Sequence, residues 1–148
     1  MLALQRSSGG VMKVATIDDC HLAYWVAIAE NLTPFVVGKL CATVETTVGS
    51  TPIFKDAKCV GHSYDPHLNW AQGGPLLEKY AVALYPYLDG NGWYGHACNG
   101  RGTRMEGSAP LLAAMRSIVA TRYGKDVSDT DMRTFLTQPL PLARALRT

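Results

Sequence analysis

The sequence predicts an α+β domain, a small antiparallel sheet with a β-hairpin over about residues 80–98, covered by two main helices at about 19–31 and 110–123. Three observations lead to it. Leu111, Leu112, Met115, Ile118 and Val119 recur at helical spacing and give one apolar face, with Arg116 and Arg122 off it. Asp89-Gly90-Asn91-Gly92 is a hairpin turn signal between two strand-like runs. The order of the pieces is helix, strands, hairpin, helix, which suits an antiparallel sheet with helices on one face and not a parallel βαβ chain.

Each element has its own local reason. Asp18 or Asp19 is suited to cap a first helix, in which Leu22, Trp25, Val26 and Ala29 recur up to about Asn31. Thr33-Pro34 then stops it, because the residue before proline is pushed out of helical torsions. Phe35–Val48 is rich in valine and threonine and reads as one or two strands broken near Gly38. Residues 50–69 hold proline, glycine, aspartate and histidine and are expected to be mostly loop. Gly73-Gly74-Pro75 reads as a shaped turn feeding a short helix, Pro75–Tyr80. Tyr80–Leu88 and Trp93–Cys98 are the hairpin strands, with Pro86 at an edge or an end. Asn99–Arg104 is a flexible basic loop leading into the last long helix, which Gly124 stops.

Bulk properties set limits. The 148 residues fit one domain, placed at 12–127, with residues 1–11 expected as a disordered extension. Residues 128–148 are expected to form a C-terminal tail with a short helix near 130–136 and an apolar run, Leu136–Leu146, that is a candidate oligomer contact. A net charge of +2, without a basic run, argues against DNA binding and confines any anion binding to a local site. Cys20, Cys41, Cys59 and Cys98 form no CxxC pair, no apolar stretch is long enough to span a membrane, and a reducing cytoplasm is the expected compartment.

The search for chemistry gives an uneven result. Cys59, His62, His67, His96 and Cys98 could supply a tetrahedral metal site, but their spacing matches no finger or ribbon. His96 and Cys98 share a strand face, while Cys20 and His21 are neighbours expected to point apart. Glu78 is the one carboxylate in a suggestive place. No catalytic residue, metal or cofactor is assigned. The anion signal is better: Asn99-Gly100-Arg101-Gly102-Thr103-Arg104 offers glycine-freed N–H groups, two guanidinium forks and a hydroxyl, with a helix N-terminus following at Ser108–Leu111. It lacks the ending of a nucleotide-hydrolysing phosphate loop. Aromatics nearby in sequence, among them Trp70 and Trp93, could stack on a base or fill the core.

The string Tyr64-Asp-Pro-His-Leu-Asn-Trp-Ala-Gln-Gly-Gly-Pro-Leu-Leu-Glu78, then Trp93, then Ser108-Ala-Pro-Leu-Leu-Ala-Ala-Met-Arg-Ser-Ile-Val-Ala-Thr-Arg-Tyr-Gly124, resembles the NinX-like family of bacteriophage and prophage proteins. Met12-Lys-Val and Trp25-Val-Ala27 resemble its start, and the likeness covers about residues 12–127. The resemblance implies a phage origin and action in the bacterial cytoplasm, and supplies no catalytic residue. It implies an accessory role, for which countering host defence by sequestering a nucleotide signal is one known route. The expectation is therefore a non-enzymatic protein that binds a small phosphate-bearing, nucleotide-like ligand. Arg101 and Arg104 would hold phosphates with Gly102 and Thr103, and Arg116 would reach the same anion. Trp70 or Trp93 would stack on the base, and Gln72, Gly73 and Gly74 would shape the wall. The rival expectations are a protein-binding inhibitor anchored by Trp25 and Trp70, and a nucleotide-processing enzyme using Glu78, His67 or His96.

Overall fold

A computed structural model describes residues 10–128 of the chain. Strands are β1 (Val11–Lys13), β2 (Pro34–Val37), β3 (Leu40–Thr43), β4 (Pro52–Lys55), β5 (Lys58–Ser63), β6 (Ala83–Pro86), β7 (Trp93–His96), β8 (Arg104–Gly107) and β9 (Asp126–Ser128). The helices are α1 (Cys20–Ala29), α2 (Trp70–Lys79) and α3 (Pro110–Tyr123). The α+β class holds, but the single sheet expected is three small antiparallel ones, in the orders β1-β9, β2-β3-β5-β4 and β6-β7-β8.

α3 is the hub. Its stretch from Ala113 to Ala120 is buried on every side, packed on the β6–β8 sheet, on α1 and on α2. Two glycines let the sheet come that close: a Cβ at Gly95 would lie 2.6 Å from the Ala113 carbonyl oxygen, and one at Gly107 would lie 2.7 Å from the Ala113 nitrogen. Leu22, Val26, Met115, Ile118 and Val119 form the centre of the core. Phe35 and Ala42 hold a smaller cluster on the β2–β5 sheet. The C-terminal ends of α1 and α2 are tied together by Glu30, which accepts from Tyr80 Oη at 2.6 Å and pairs with Lys79 Nζ at 3.0 Å.

Local chemistry explains most departures from the expected elements. Asp19, not Asp18, caps α1, accepting from the His21 N–H at 3.0 Å. That helix ends at Ala29, before Asn31 turns left-handed at φ 61°, so Pro34 starts a strand and does not end a helix. Residues 50–69 are not mostly loop: β4 and β5 form a hairpin whose turn holds Asp56 and Ala57, both at positive φ. The short helix expected at Pro75 begins five residues earlier, because Asn69 caps it by accepting from the Ala71 N–H at 2.9 Å and donating to the Gly49 carbonyl at 3.1 Å. Residues Arg104–Gly107, which overlap and follow the loop expected at Asn99–Arg104, are a third strand on the hairpin. Val11, placed in the extension, and Ser128, placed in the tail, are partners in the β1–β9 pair. The short helix near 130–136 and the Leu136–Leu146 contact lie outside the described residues.

Candidate functional site

β8 alternates as a half-buried strand must, with Arg104 and Glu106 outward and Met105 and Gly107 inward. Its neighbour β7 presents Tyr94, and the Arg104 guanidinium lies 4.6 Å from that ring's centroid, a cation–π distance. Tyr94 in turn packs on Tyr87 at 4.6 Å and on Tyr85 at 5.6 Å. The Tyr87 hydroxyl donates to Glu106 Oε1 at 2.8 Å, which brings the hairpin tip over β8. Tyr87, Asn91, Arg104, Glu106, Ser108 and Arg116 line an open cleft of about 440 Å³. Ser108 lies just before Ala109, the N-cap of α3, so the cleft also opens beside the positive end of that helix's dipole.

The two arginines of this cleft do different work. Arg104 is exposed and holds only the Tyr94 face among the contacts seen. Arg116 is 9% exposed, and its guanidinium is spent on main-chain carbonyls: Nε donates to Ile17 at 3.0 Å and Nη1 to Glu106 at 2.7 Å. Desolvation lowers its pKa, with Asp18 opposing. It ties β8 to the segment before α1, a structural role that helical spacing does not reveal for an arginine expected off the apolar face. The cleft therefore offers an exposed cation backed by the Tyr94 ring, the Tyr87 ring, hydroxyls and a carboxylate. Such a set can orient a ligand that carries both an anionic group and a flat ring.

The glycine-arginine loop does not form the expected phosphate cradle. Every N–H from Cys98 to Thr103 already has an acceptor: Tyr80, Ala81, Ala97, Cys98 and again Ala97 carbonyls, then Thr121 Oγ1. Gly102 lies against Thr121, where a Cβ would collide, and the Thr103 carbonyl accepts from Ser117 Oγ. Gly102 and Thr103 thus fasten the loop to α3, and Arg101 points to solvent without lining the cleft. His96 belongs to the same fastening, its Nε2 donating to the Gly102 carbonyl at 2.8 Å.

The candidates from residues 64–78 are elsewhere. Gln72 is 4% exposed and bonds Asp65 N, Ser63 O and Thr47 Oγ1, so it ties α2 to β5 and does not line a pocket. Gly73 is buried where a Cβ would strike the Pro66 carbonyl and come within 2.8 Å of Leu111. Gly74 has open space around it, and Trp70, in the first turn of α2, is 55% exposed. Trp93 is half-buried on β7, paired with Pro86 and Gly107. Of the ten residues expected at one site, Arg104 and Arg116 share the cleft.

A second hollow, of about 300 Å³, lies at the start of α1, lined among others by Asp18, Asp19, Cys20, Cys41, Asp65 and His67. His67 is 4% exposed, and burial lowers its pKa against the raising effect of Asp65, Asp19 and Asp18. Burial also pushes the Cys20 thiol up, with Asp19 adding to it. Asp19 itself sits below its ordinary value, since the hydrogen bonds from His21 outweigh desolvation. Among the described residues, Asp19, Cys20 and His21 are the one trio whose donor atoms gather within 4.8 Å. The scattered set Cys59, His62, His67, His96 and Cys98 does not gather. Cys20 and His21 were expected to point apart; the cap, which folds Asp19 over the second residue of the helix, brings their donors together.

Fold and clefts describe a small α+β domain in which the segment from Ala15 to Asp19 contributes Ala15 to the cleft beside β8 and Asp18 and Asp19 to the hollow at α1. The chain belongs to the bacteriophage P22 NinX family, whose sequence model matches residues 13–122. It is a phage-encoded accessory protein on that ground. No curated protein matches it. No helix among the described residues is long and apolar enough to cross a membrane.

Proposed function

We propose that this protein binds a small phosphate-bearing, nucleotide-like signal in the cleft beside β8 and withholds it, without turnover, as an anti-defence device in the host cytoplasm. The observation that carries the reading is the Arg104 guanidinium held over Tyr94 beside a 440 Å³ cleft at the N-terminal end of α3. A guanidinium fork matches a phosphate bidentately, and aromatic faces accept a base. Arg116 serves by holding the wall, and Glu106 favours a ligand whose anionic group sits at the Arg104 end of the cleft. Phage-family membership supports the accessory role.

The test is native mass spectrometry of protein purified from cells expressing nucleotide-producing defence systems, followed by heat release of whatever is bound. Release of an intact nucleotide is expected, the same spectrum gives the oligomer mass, and Arg104→Ala should lose at least tenfold in affinity. Failure of mono-, di- and cyclic nucleotides to bind on titration overturns the reading, and a chemically altered product replaces it with an enzyme. A second reading, inhibition of a host protein by direct docking, is favoured by the exposure of Trp70 at 55% and Leu68 at 71%. Stoichiometric co-purification of a host protein with the cleft empty would select it.

A further inference from the structure

The start of α1 has the parts of a metal site. Asp19, Cys20 and His21 bring three donor atoms of different chemistry within 4.8 Å of one another. Asp19 Oδ1 and His21 Nδ1 are 2.9 Å apart. Neighbouring ligands of a tetrahedral zinc ion, each about 2.0–2.1 Å from the metal, lie about 3.3 Å apart, so this pair needs to open by only a few tenths of an ångström. A thiolate, an imidazole and a carboxylate together suit zinc or cobalt and not magnesium or calcium, which take oxygen alone.

A second observation is independent of the cap. His67 lines the same hollow as Asp19 and Cys20, is 4% exposed, and its Nδ1 has no hydrogen-bond partner. A buried imidazole nitrogen without a partner is unfavourable, and a nearby cation or its bound water relieves it. Asp18 and Asp65 line the hollow as well and supply negative charge for a divalent ion, while Lys39 on the rim opposes it.

The geometry points to a zinc-type transition-metal site at the N-terminus of α1, held by Asp19, Cys20 and His21, with the unpartnered His67 on the wall of the hollow that Asp19 and Cys20 also line. Binding replaces the hydrogen bond between Asp19 and His21 and displaces the Cys20 thiol proton. The site would clamp the segment from Ala15 to Asp19, which also carries one wall of the neighbouring cleft, but the inference does not rest on what that cleft binds.

Cobalt(II) titration of the full chain, reduced with a non-chelating phosphine, tests it. One equivalent is expected to bind, with tetrahedral visible bands and a near-ultraviolet sulfur-to-cobalt band. Cys20→Ser should abolish the sulfur band, and Asp19→Asn, which keeps a capping side chain, should weaken binding at least tenfold. His67→Gln should weaken binding less than Asp19→Asn does, and Cys59→Ser should change nothing. Binding that survives both Cys20→Ser and Asp19→Asn, or no binding by the folded wild-type chain at a hundred micromolar cobalt, on the order of what weak protein sites need, overturns the proposal.

Discussion

Two glycine-bearing stretches of this chain look alike on paper and do opposite things. Gln72-Gly73-Gly74-Pro75 lies inside α2, with Gln72 and Gly73 buried at its junctions with β5 and α3. Gly102–Gly107 runs from a fastened loop into β8, and its outward residues Arg104 and Glu106 make a cleft wall. A close approach of backbone leaves the same mark on a sequence whether the approaching group is a ligand or the protein's own helix. What separates the two is the residues beside the glycines. Gln72 has three hydrogen-bond partners within the fold, whereas the Arg104 guanidinium rests on the face of Tyr94.

The sharpest way to break this comparison is Gly73→Val. The side chain has nowhere to go between the Pro66 carbonyl and Leu111, both held by packed elements, so the cost is about 3 kcal/mol or more and the midpoint of urea unfolding falls accordingly. An unchanged midpoint would mean that the stretch is freer than its packing says. Gln72→Ala comes next. It leaves the Asp65 N–H without its acceptor and removes two donated bonds, for about 2 kcal/mol of lost stability, read from the same unfolding curve.

How far the sequence carried can be argued from the same residues. α1, α3 and the β6–β7 hairpin were legible because each has a strong local signal: a cap, a helical apolar period, or an Asp-Gly-Asn-Gly turn. β4 and β5 were not, because their turn uses Asp56-Ala57, and alanine gives no hint that it will adopt a positive φ. α2 was misplaced because two glycines and a proline read as a turn, while the cap that overrides them, Asn69, needs a distant carbonyl at Gly49 for its second bond. For the site, Arg104 was legible as an exposed loop cation. The conversion of Gly102 and Thr103 into fasteners was not, since it depends on Thr121 and Ser117 meeting the loop across the fold. The gathering of Asp19, Cys20 and His21 was legible in principle, because a capping side chain reaches back to the second residue of its helix.

A smaller effect sharpens the structural side of the comparison, since His67 is buried in the segment that leads into α2. Burial holds its folded pKa below the ordinary 6.5. The unfolded chain therefore takes up a proton first as pH falls, and the stability present above about pH 6.5 declines toward the folded value. One proton limits the slope to about 1.4 kcal/mol per pH unit. The thermal midpoint should fall between pH 7 and 5, before Asp19 and Glu45, whose carboxyls sit below their ordinary values, begin to matter. His67→Gln should flatten that part of the profile, and an equally steep profile in the variant would assign the loss to another group.

The least stability is at stake in Trp70→Ala, and it decides the most about the comparison. Trp70 stands in the first turn of α2, 55% exposed, and does not line the cleft beside β8. Its removal should change unfolding stability by less than about 0.5 kcal/mol, as exposed substitutions away from special contacts do. Nucleotide affinity should be unchanged in this variant and lost in Arg104→Ala. Should Trp70→Ala weaken the ligand tenfold, the two stretches act on one surface and the division drawn between them fails. Should it instead release a co-purifying host protein while leaving the cleft as it was, α2 is a docking face in its own right. The distinctive string around Trp70 would then join packing on its inner side, through Gln72 and Gly73, to recognition on its outer one.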